Sequence, residues 1–462
     1  MNHHQVLTVA QMRAAEQAIF DAGTSVDELM AIAGRGAAEW IRRVAAGRTI
    51  TVLCGPGNNG GDGYMIAETL RQSGHDVSVI APMPPTTDAA RNARNAFKGK
   101  LWTSGSTMRR GVFVDCLFGS GLSRPLSAEL EVLLMDLAKQ HESKVAVDLP
   151  SGVNGDSGTL AHGRIVSYDL TLALGAWKFA HWEFPAKSKM GTTKLVPIGI
   201  AGVADAAQVL GKPQIDAPAT DTHKYRRGLC AIVAGAMPGA TMLASEAAMR
   251  AGAGYVKLLS NASSAVPNGL VIEGGSLPNV LSDDRINAVL IGPGLGRDSK
   301  AIARLNESLS EKDRWVIDAD ALHLLKPGML CEDGQVLLTP HDGELEELCK
   351  SFAVVAEGRK SRAQALARAS GMTVLAKGPN TIIAAPDGRV TLAPPASSWL
   401  SAAGTGDVLA GIAVSRLATG RDPFDAACEA VWLHGEAAWL CGAAFTADEL
   451  AHMVGNAMKT AS

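Results

Sequence analysis

The chain has 462 residues, 47% hydrophobic and 19% charged, with 49 Gly, 9 Phe, 4 Tyr and a formal net charge of −3 at pH 7. That length exceeds what one core usually supports and that composition excludes disorder, so two α/β domains rich in small residues and tight turns are expected. The charge balance offers no basic patch for DNA or RNA, no uncharged apolar run reaches the roughly 18 residues of a membrane span, and the N-terminus lacks a secretory pattern, which together point to a cytoplasmic enzyme.

In chain order, Thr8 to Ala22 reads as a helix with Thr8 as N-cap, and Ser25 to Val44 as a second helix whose apolar positions recur at three and four. This Ala- and Leu-rich extension could pack on its own domain or on a second copy of the chain. Short apolar runs follow: Thr49 to Leu53, Val77 to Ile80, Gly111 to Asp115, Lys144 to Asp148 and Leu170 to Ala173. Their alternation with helices predicts a parallel sheet covered on both faces. Pro197 to Thr222, with Pro213 and Pro218 close together, reads as the linker. Leu229 to Ala234, Ala288 to Ile291, Trp315 to Ala319, Val336 to Thr339, Val374 to Ala376 and Thr381 to Ala385 are a second series of strands, separated by helices such as Ala240 to Ala251 and Ser361 to Ser370. The seven Cys are scattered without a CxxC pair, so buried reduced thiols are expected rather than a zinc site or a disulfide framework.

Gly55-Pro56-Gly57-Asn58-Asn59-Gly60-Gly61-Asp62-Gly63 joins a predicted strand to a predicted helix. Such a turn gathers backbone N–H groups and a helix N-terminus at one point, which suits a phosphate, while the Asn pair and the Asp can read hydroxyls or amides. Val114-Asp115-Cys116-Leu117-Phe118-Gly119-Ser120-Gly121-Leu122 and Val147-Asp148-Leu149-Pro150-Ser151-Gly152 repeat a pattern of strand, acid and glycine turn. Ligands of open parallel sheets bind outside the carboxyl ends of the strands, so these loops should share one crevice.

These runs, with Glu28-Leu29-Met30 and Ala33-Gly34 upstream, resemble the N-terminal epimerase domain of the NAD(P)H-hydrate repair enzymes over most of residues 1–200. The resemblance implies a Rossmann-like three-layer α/β/α domain, taken as residues 1–212, that interconverts the R and S forms of NADH and NADPH hydrated at C6 (NADHX and NADPHX). It implies that Asn58, Asn59, Gly60, Gly61, Asp62, Gly119, Ser120, Gly121, Leu122, Ser123, Arg124 and Pro125 bind the hydrated cofactor and that Asp148 is the general acid/base. It makes Asn59, Asp115 and Ser151 ligands of a potassium ion, in keeping with their hard oxygen donors. Ser120 stands where Thr is common in the family. Arg124 and Lys178 are candidates for reading a 2′-phosphate.

The second half carries Thr222-His223-Lys224-Tyr225-Arg226-Arg227-Gly228, Gly235-Ala236-Met237-Pro238-Gly239-Ala240, Ile291-Gly292-Pro293-Gly294-Leu295-Gly296, Asp318-Ala319-Asp320, Thr339-Pro340-His341-Asp342-Gly343-Glu344, Lys377-Gly378-Pro379-Asn380-Thr381 and finally Ala403-Gly404-Thr405-Gly406-Asp407. Most lie just after a predicted strand. Their succession resembles the ADP-dependent hydrate dehydratase domain, a ribokinase-like α/β fold, here residues 213–462. The resemblance implies that Lys377, Gly378, Pro379, Asn380, Thr381 and Gly406 contact the AMP part of the nucleotide, while Ala240, Gly294, His341 and Asp407 contact the hydrated cofactor. Asp407 would be the catalytic base, ADP the co-substrate, and magnesium the counterion of the diphosphate. Asp342 departs from the family's Pro, which frees a backbone N–H and is expected to loosen the loop that presents His341.

Joined, the halves imply a bifunctional repair enzyme: the epimerase converts the R form and the dehydratase restores the S form to NADH or NADPH, giving AMP and phosphate. The alternative is a small-molecule kinase of the vitamin or sugar type, whose glycine–Asp turn has the same form, with a non-catalytic nucleotide-binding module at its N-terminus.

Overall fold

The computed structural model describes residues 4–104, 111–122, 125–160, 165–261, 266–309, 312–330 and 334–462. The chain divides into two compact units, the first ending at Ala207 and the second running from Gln208 to Ser462.

The first unit opens with two helices started by the same local device. Thr8 Oγ1 accepts from Gln11 N (3.1 Å) while the Gln11 side chain accepts from Thr8 N (2.9 Å), and Ser25 and Glu28 repeat the exchange, which starts Val9–Asp21 and Val26–Ala45. Leu29, Met30, Ala33, Ala37 and Ile41 of the second helix are buried in the core of this same unit. Among the described residues a seven-stranded parallel sheet runs in the order Lys100–Trp102, Val77–Ile80, Ile50–Cys54, Val112–Cys116, Ser143–Val147, Leu170–Leu174, Thr192–Val196. The pleat sends Val52, Val114 and Val145 to one face, in a core shared with Val26–Ala45 and Asn58–Gln72. Leu53, Phe113 and Ala146 point to the other face, with Leu134 and Leu137 of Ala128–Gln140. Three layers result, as expected. Gln5–Leu7 pairs in parallel with Trp177–Lys178, and Lys178 is buried.

In the second unit the strand order is Val271–Glu273, Tyr255–Leu259, Leu229–Val233, Ile286–Ile291, Arg314–Ile317, Gln335–Leu338, Thr373–Ala376, Ile382–Ala384, Val390–Leu392. Pairing is parallel through Thr373–Ala376 and antiparallel in the last two steps. Cys230, Ile232, Leu290, Val316 and Leu337 share one core with the helices Pro238–Arg250, Thr405–Ala418, Pro423–Cys441 and Ala447–Ala461. Tyr255–Leu259 escapes a reading by apolar runs because Lys257 interrupts it. Its ammonium is buried against Glu273 Oε2 (2.8 Å) and Asp283 Oδ2 (3.0 Å), which lets a charged residue sit in an inner strand. The expected linker is not featureless either, since Gln208 and Val209 pair in parallel with Thr391 and Leu392.

Cys54, Cys116, Cys230, Cys349, Cys428 and Cys441 are free, the first four buried. Among the described residues no helix is long and apolar enough to cross a membrane.

Candidate active sites

In the first unit the strand order reverses between Ile50–Cys54 and Val112–Cys116, so the loops leaving these two strands part from one another and open a crevice. One loop enters the helix Asn58–Gln72 through Gly57, which leaves the first turn without a side-chain cap. The other carries Gly119. A Cβ on Gly119 would stand 2.7 Å from Asp148 Oδ2 and 3.3 Å from Asn59 Cγ, so only glycine lets these three meet.

Asp148 follows the strand Ser143–Val147 in a left-handed conformation, φ 64°, a costly shape for a residue with a side chain and one that turns its carboxylate inward. Its Oδ2 accepts from Ser120 N (2.8 Å) and its Oδ1 from Lys178 Nζ (2.6 Å); Lys178 Nζ also donates to Leu174 O (2.6 Å). Burial pushes the Asp148 carboxyl up, but Lys178 and the Ser120 amide overcome it and hold it below the usual range. His181 Nδ1 accepts from Lys178 N (2.9 Å), so its Nε2 donates to Asp148 O (2.8 Å), and burial with the neighbouring ammonium pulls this imidazole down to about 4. Asp62, on the same helix as Asn59, goes the other way: burial, then the charges of Asp148 and Glu16, lift it well above the carboxylate range. Burial likewise raises Glu16, on Val9–Asp21, against the pull of Lys178. Acidic groups of opposite tendency therefore face one crevice.

Asp115 is fully buried at the end of its strand. Its Oδ1 accepts from Leu117 N (3.0 Å) and Ser151 Oγ (2.8 Å), its Oδ2 from Ser151 N (3.0 Å) and Tyr168 Oη (2.5 Å). Burial raises its carboxyl and these donors oppose the rise. The amide nitrogen and oxygen of Asn59 are buried without a hydrogen-bond partner, an arrangement that costs free energy unless something completes it. The Asn59 side-chain oxygen is a hard donor of the kind an oxygen-liganded cation takes, whereas each Asp115 oxygen already accepts two hydrogen bonds. Among the described residues no group of three His, Cys, Asp or Glu is built to hold a metal.

Other predicted residues are more peripheral. Asn58 is exposed and accepts from Thr87 Oγ1 (2.8 Å), Leu122 N reaches Gly119 O (3.3 Å), and Gly121 and Pro125 lie at the surface. Gly60 and Gly61 are buried where the helix begins, and a Cβ on Gly60 would run into the carbonyl of Gly55. Ser123 and Arg124 lie outside the described residues. Lys178 is not free to read a 2′-phosphate, because its ammonium is buried on Asp148. Its role, and those of Glu16, His181 and Tyr168, escaped the sequence reading, since none stands in a glycine motif.

The second unit repeats the construction. Its strand order reverses between Leu229–Val233, which is followed by the helix Pro238–Arg250 with Ala240 in its first turn, and Ile286–Ile291, whose following loop carries Gly294. Met237 N donates to Gly294 O (2.9 Å), and a Cβ on Gly294, φ 60°, would lie 3.2 Å from Ala240 Cβ. Gly404, φ 88°, opens the helix Thr405–Ala418 without a side-chain cap, so free N–H groups face out beside Asp407. Beneath them His434 Nε2 bonds Thr405 O (2.9 Å), and burial brings that imidazole down to about 4. Burial and then the charge of Asp318 push the Asp407 carboxyl up to about 6, against the pull of Lys377.

Lys377 Nζ donates to Asp318 Oδ1 (2.7 Å), which also accepts from Thr339 Oγ1 (2.7 Å). Asp320 accepts from Gly296 N (2.9 Å) and Arg297 Nε (2.7 Å), tying the Gly294 loop to the next strand end. His341 caps Asp342–Ser351: its Nδ1 accepts from Gly343 N (3.0 Å) and Glu344 N (3.2 Å), and Glu344 Oε2 accepts from His341 N (2.8 Å). Asp342 does not leave this loop slack, because its carboxylate binds Arg359 Nε (2.6 Å). Arg359 Nη1 also donates to Asn380 O (3.2 Å) and its guanidinium packs over Gly378. Gly378 and Pro379 are exposed, while Thr381 Oγ1 closes the turn on Gly378 O (3.1 Å). Asp318 and Thr339 stood in quoted motifs without a role, and Arg359 went unnoticed.

Comparison with known proteins bears on both units. A family model described as YjeF-related protein N-terminus matches residues 26–180, and one described as NAD(P)H-hydrate dehydratase matches residues 230–459. A relative named bifunctional NAD(P)H-hydrate repair enzyme Nnr, from Gloeobacter violaceus, is 33% identical across 93% of this chain and 92% of its own length. Proteins of the same name from Escherichia coli (31% identical; 96% of this chain, 90% of the relative) and Mycobacterium leprae (31%; 96% and 95%) are also similar. Among solved structures, an ADP/ATP-dependent NAD(P)H-hydrate dehydratase from Bacillus subtilis, co-crystallized with ATP and Mg2+, is similar at a TM-score of 0.46 and 28% identity, covering 54% of this chain and 95% of its own.

Proposed function

The chain belongs to the family of bifunctional NAD(P)H-hydrate repair enzymes, and we propose that it returns both epimers of hydrated NADH and NADPH to the reduced cofactor. Residues 1–212 form the epimerase domain and residues 213–462 the dehydratase domain. The observation that carries this reading is the pair of crevices at the strand-order reversals of the two sheets, with Asp148 against the Gly119 loop in the first and Asp407 at an uncapped helix N-terminus in the second.

In the epimerase, Asp148 exchanges protons with the substrate as the C6–O bond or the ring opens and recloses. Its charge, fixed by Lys178, makes it the acceptor. Asn58 to Asp62 and Gly119 to Pro125 surround the substrate. Asn59, Asp115 and Ser151 would hold potassium, which when bound supplies a fixed positive charge.

In the dehydratase, the C6 hydroxyl gives its proton to Asp407 as its oxygen attacks the terminal phosphorus of ADP and the bond to AMP breaks. Phosphate then departs with the C6–O electron pair, pushed by the ring nitrogen, and loss of a proton from C5 restores the dihydropyridine. Hydroxide leaves poorly and phosphate leaves well, which is why a nucleotide is consumed. Ala240, Gly294 and His341 line the hydrate side, Lys377 to Thr381 and Gly406 the nucleotide side, and magnesium arrives with the diphosphate. The free described thiols suit the reducing cytoplasm, where we place the reaction.

The test is absorbance at the reduced-nicotinamide band with mixed hydrates, ADP, magnesium and potassium. Full recovery supports both activities. Recovery that stops at the S fraction removes the epimerase, and a stable phosphorylated alcohol in place of NADH would return the kinase alternative.

A further inference from the structure

Lys377 leaves the strand Thr373–Ala376 with its backbone N–H on Pro340 O (2.8 Å), and its side chain turns inward, away from the exposed Gly378-Pro379 turn that follows. The ammonium is fixed by Asp318 Oδ1 at 2.7 Å, and Asp318 is itself 1% exposed and fixed by Thr339. That anchoring sets Nζ 3.7 Å from where a Cβ on Gly406 would stand, at the mouth of the Gly404 turn. Asp318 takes one of three ammonium protons, so the others remain donors toward an anion held by the N–H groups of that turn. The Lys377–Thr381 segment thus divides: its Gly378-Pro379 turn is exposed, while its ammonium is held on buried Asp318 beside Gly406.

We propose that Lys377 is a catalytic residue whose ammonium contacts the terminal phosphate of ADP during transfer, rather than the AMP part of the nucleotide. This rests on the dehydratase reading. As the C6 oxygen bonds to phosphorus, the bond to AMP breaks and AMP leaves with its electron pair. Asp407 takes the proton of the hydroxyl, and Lys377 keeps all of its own. A fixed ammonium placed where equatorial oxygens gather charge lowers the barrier without reorganising. Asp318 and Thr339 are positioning residues that hold it there.

The experiment compares wild type, K377M and K377R in the full chain, measuring AMP and ADP affinity by calorimetry with magnesium and the rate of S-hydrate dehydration. K377M should lower kcat about 100- to 1,000-fold, the loss typical of one anion-hole donor. It should weaken ADP at least tenfold and AMP less than threefold, and K377R should recover part of the ADP affinity. Equal weakening of AMP and ADP, or a kcat within threefold of wild type, overturns the proposal. Because K377M strands a buried carboxylate, the D318N/K377M double variant is measured beside it. If the wild type yields no NADH the dehydratase reading falls, yet the AMP-against-ADP difference still decides where the ammonium lies.

Discussion

Replacing Asp407 with Asn should slow dehydration severely and at the same time make the protein harder to unfold. Burial and the nearby Asp318 lift this carboxyl from an ordinary 3.8 to about 6, despite Lys377. Each pH unit of displacement is worth 1.36 kcal/mol, so keeping Asp407 ionised in the folded chain at pH 7.5 costs at most about 3 kcal/mol, less the share that solvent screens at this partly exposed group. A carboxyl raised on folding favours the native state at low pH, and that advantage is lost as pH rises through the folded value. Asn, which never ionises, escapes the penalty, so D407N should melt higher at pH 7.5, by up to about 6–12 °C at the slope usual for a unit of this size. At pH 4.5 the penalty shrinks to about 1 kcal/mol, and most of the gap should close. Thermal scans of both proteins at the two pH values read this directly, alongside dehydration rates. The rate of D407N should fall about 100- to 10,000-fold, the usual worth of a general base. Wild-type kcat/KM should drop tenfold per unit below pH 6. A D407N protein that melts no higher than wild type at pH 7.5, or whose advantage persists unchanged at pH 4.5, would refute the account of a carboxylate strained by its surroundings.

Three other outcomes are expected. D148N should slow R-to-S conversion at least 100-fold while leaving dehydration of pure S hydrate unchanged, which chiral chromatography of a mixed sample resolves; equal loss of both activities would contradict separate sites. K178M strands the Asp148 charge in a buried site and should cost about 3–5 kcal/mol in urea unfolding of the first unit, with much of it regained in K178M/D148N. N59A should raise the potassium concentration needed for half-maximal epimerisation at least tenfold, and an unchanged response to added KCl would remove Asn59 from the cation site.

The sheet strands and the glycine loops were readable because they use the strongest local signals: continuous apolar runs such as Ile50–Cys54, and Gly clusters at strand ends. The capping pairs Thr8–Gln11 and Ser25–Glu28 show the same economy, each helix start being written in four consecutive residues. Three-residue strands such as Gln5–Leu7 and Val390–Leu392 left no comparable trace, since three residues cannot display a period. Lys257 hid an inner strand for the opposite reason. Its charge reads as surface, and only Glu273 and Asp283, distant in sequence, make its burial tolerable. Lys178 was misjudged in the same way: a lysine looks like a phosphate reader until the fold brings a carboxylate 2.6 Å from it.

That recurring error points to how the two units tune their carboxylates. In the first, Lys178 bonds Asp148 directly, so the charge that burial would suppress is kept, and Asp148 stays ionised throughout the neutral range. In the second, Lys377 bonds Asp318 instead, leaving Asp407 with burial and a neighbouring negative charge that the ammonium only partly offsets. The same two residue types therefore yield a carboxylate fixed in its charge and one poised near neutrality. The difference suits the chemistry. A group that exchanges a proton with the substrate as the C6–O bond or the ring opens and recloses gains from an anchored charge, whereas a base that removes a proton only while a phosphoryl group transfers works best with an affinity close to the ambient pH. What decides between them is one hydrogen bond, whether the lysine grips the carboxylate proposed as catalytic or its neighbour.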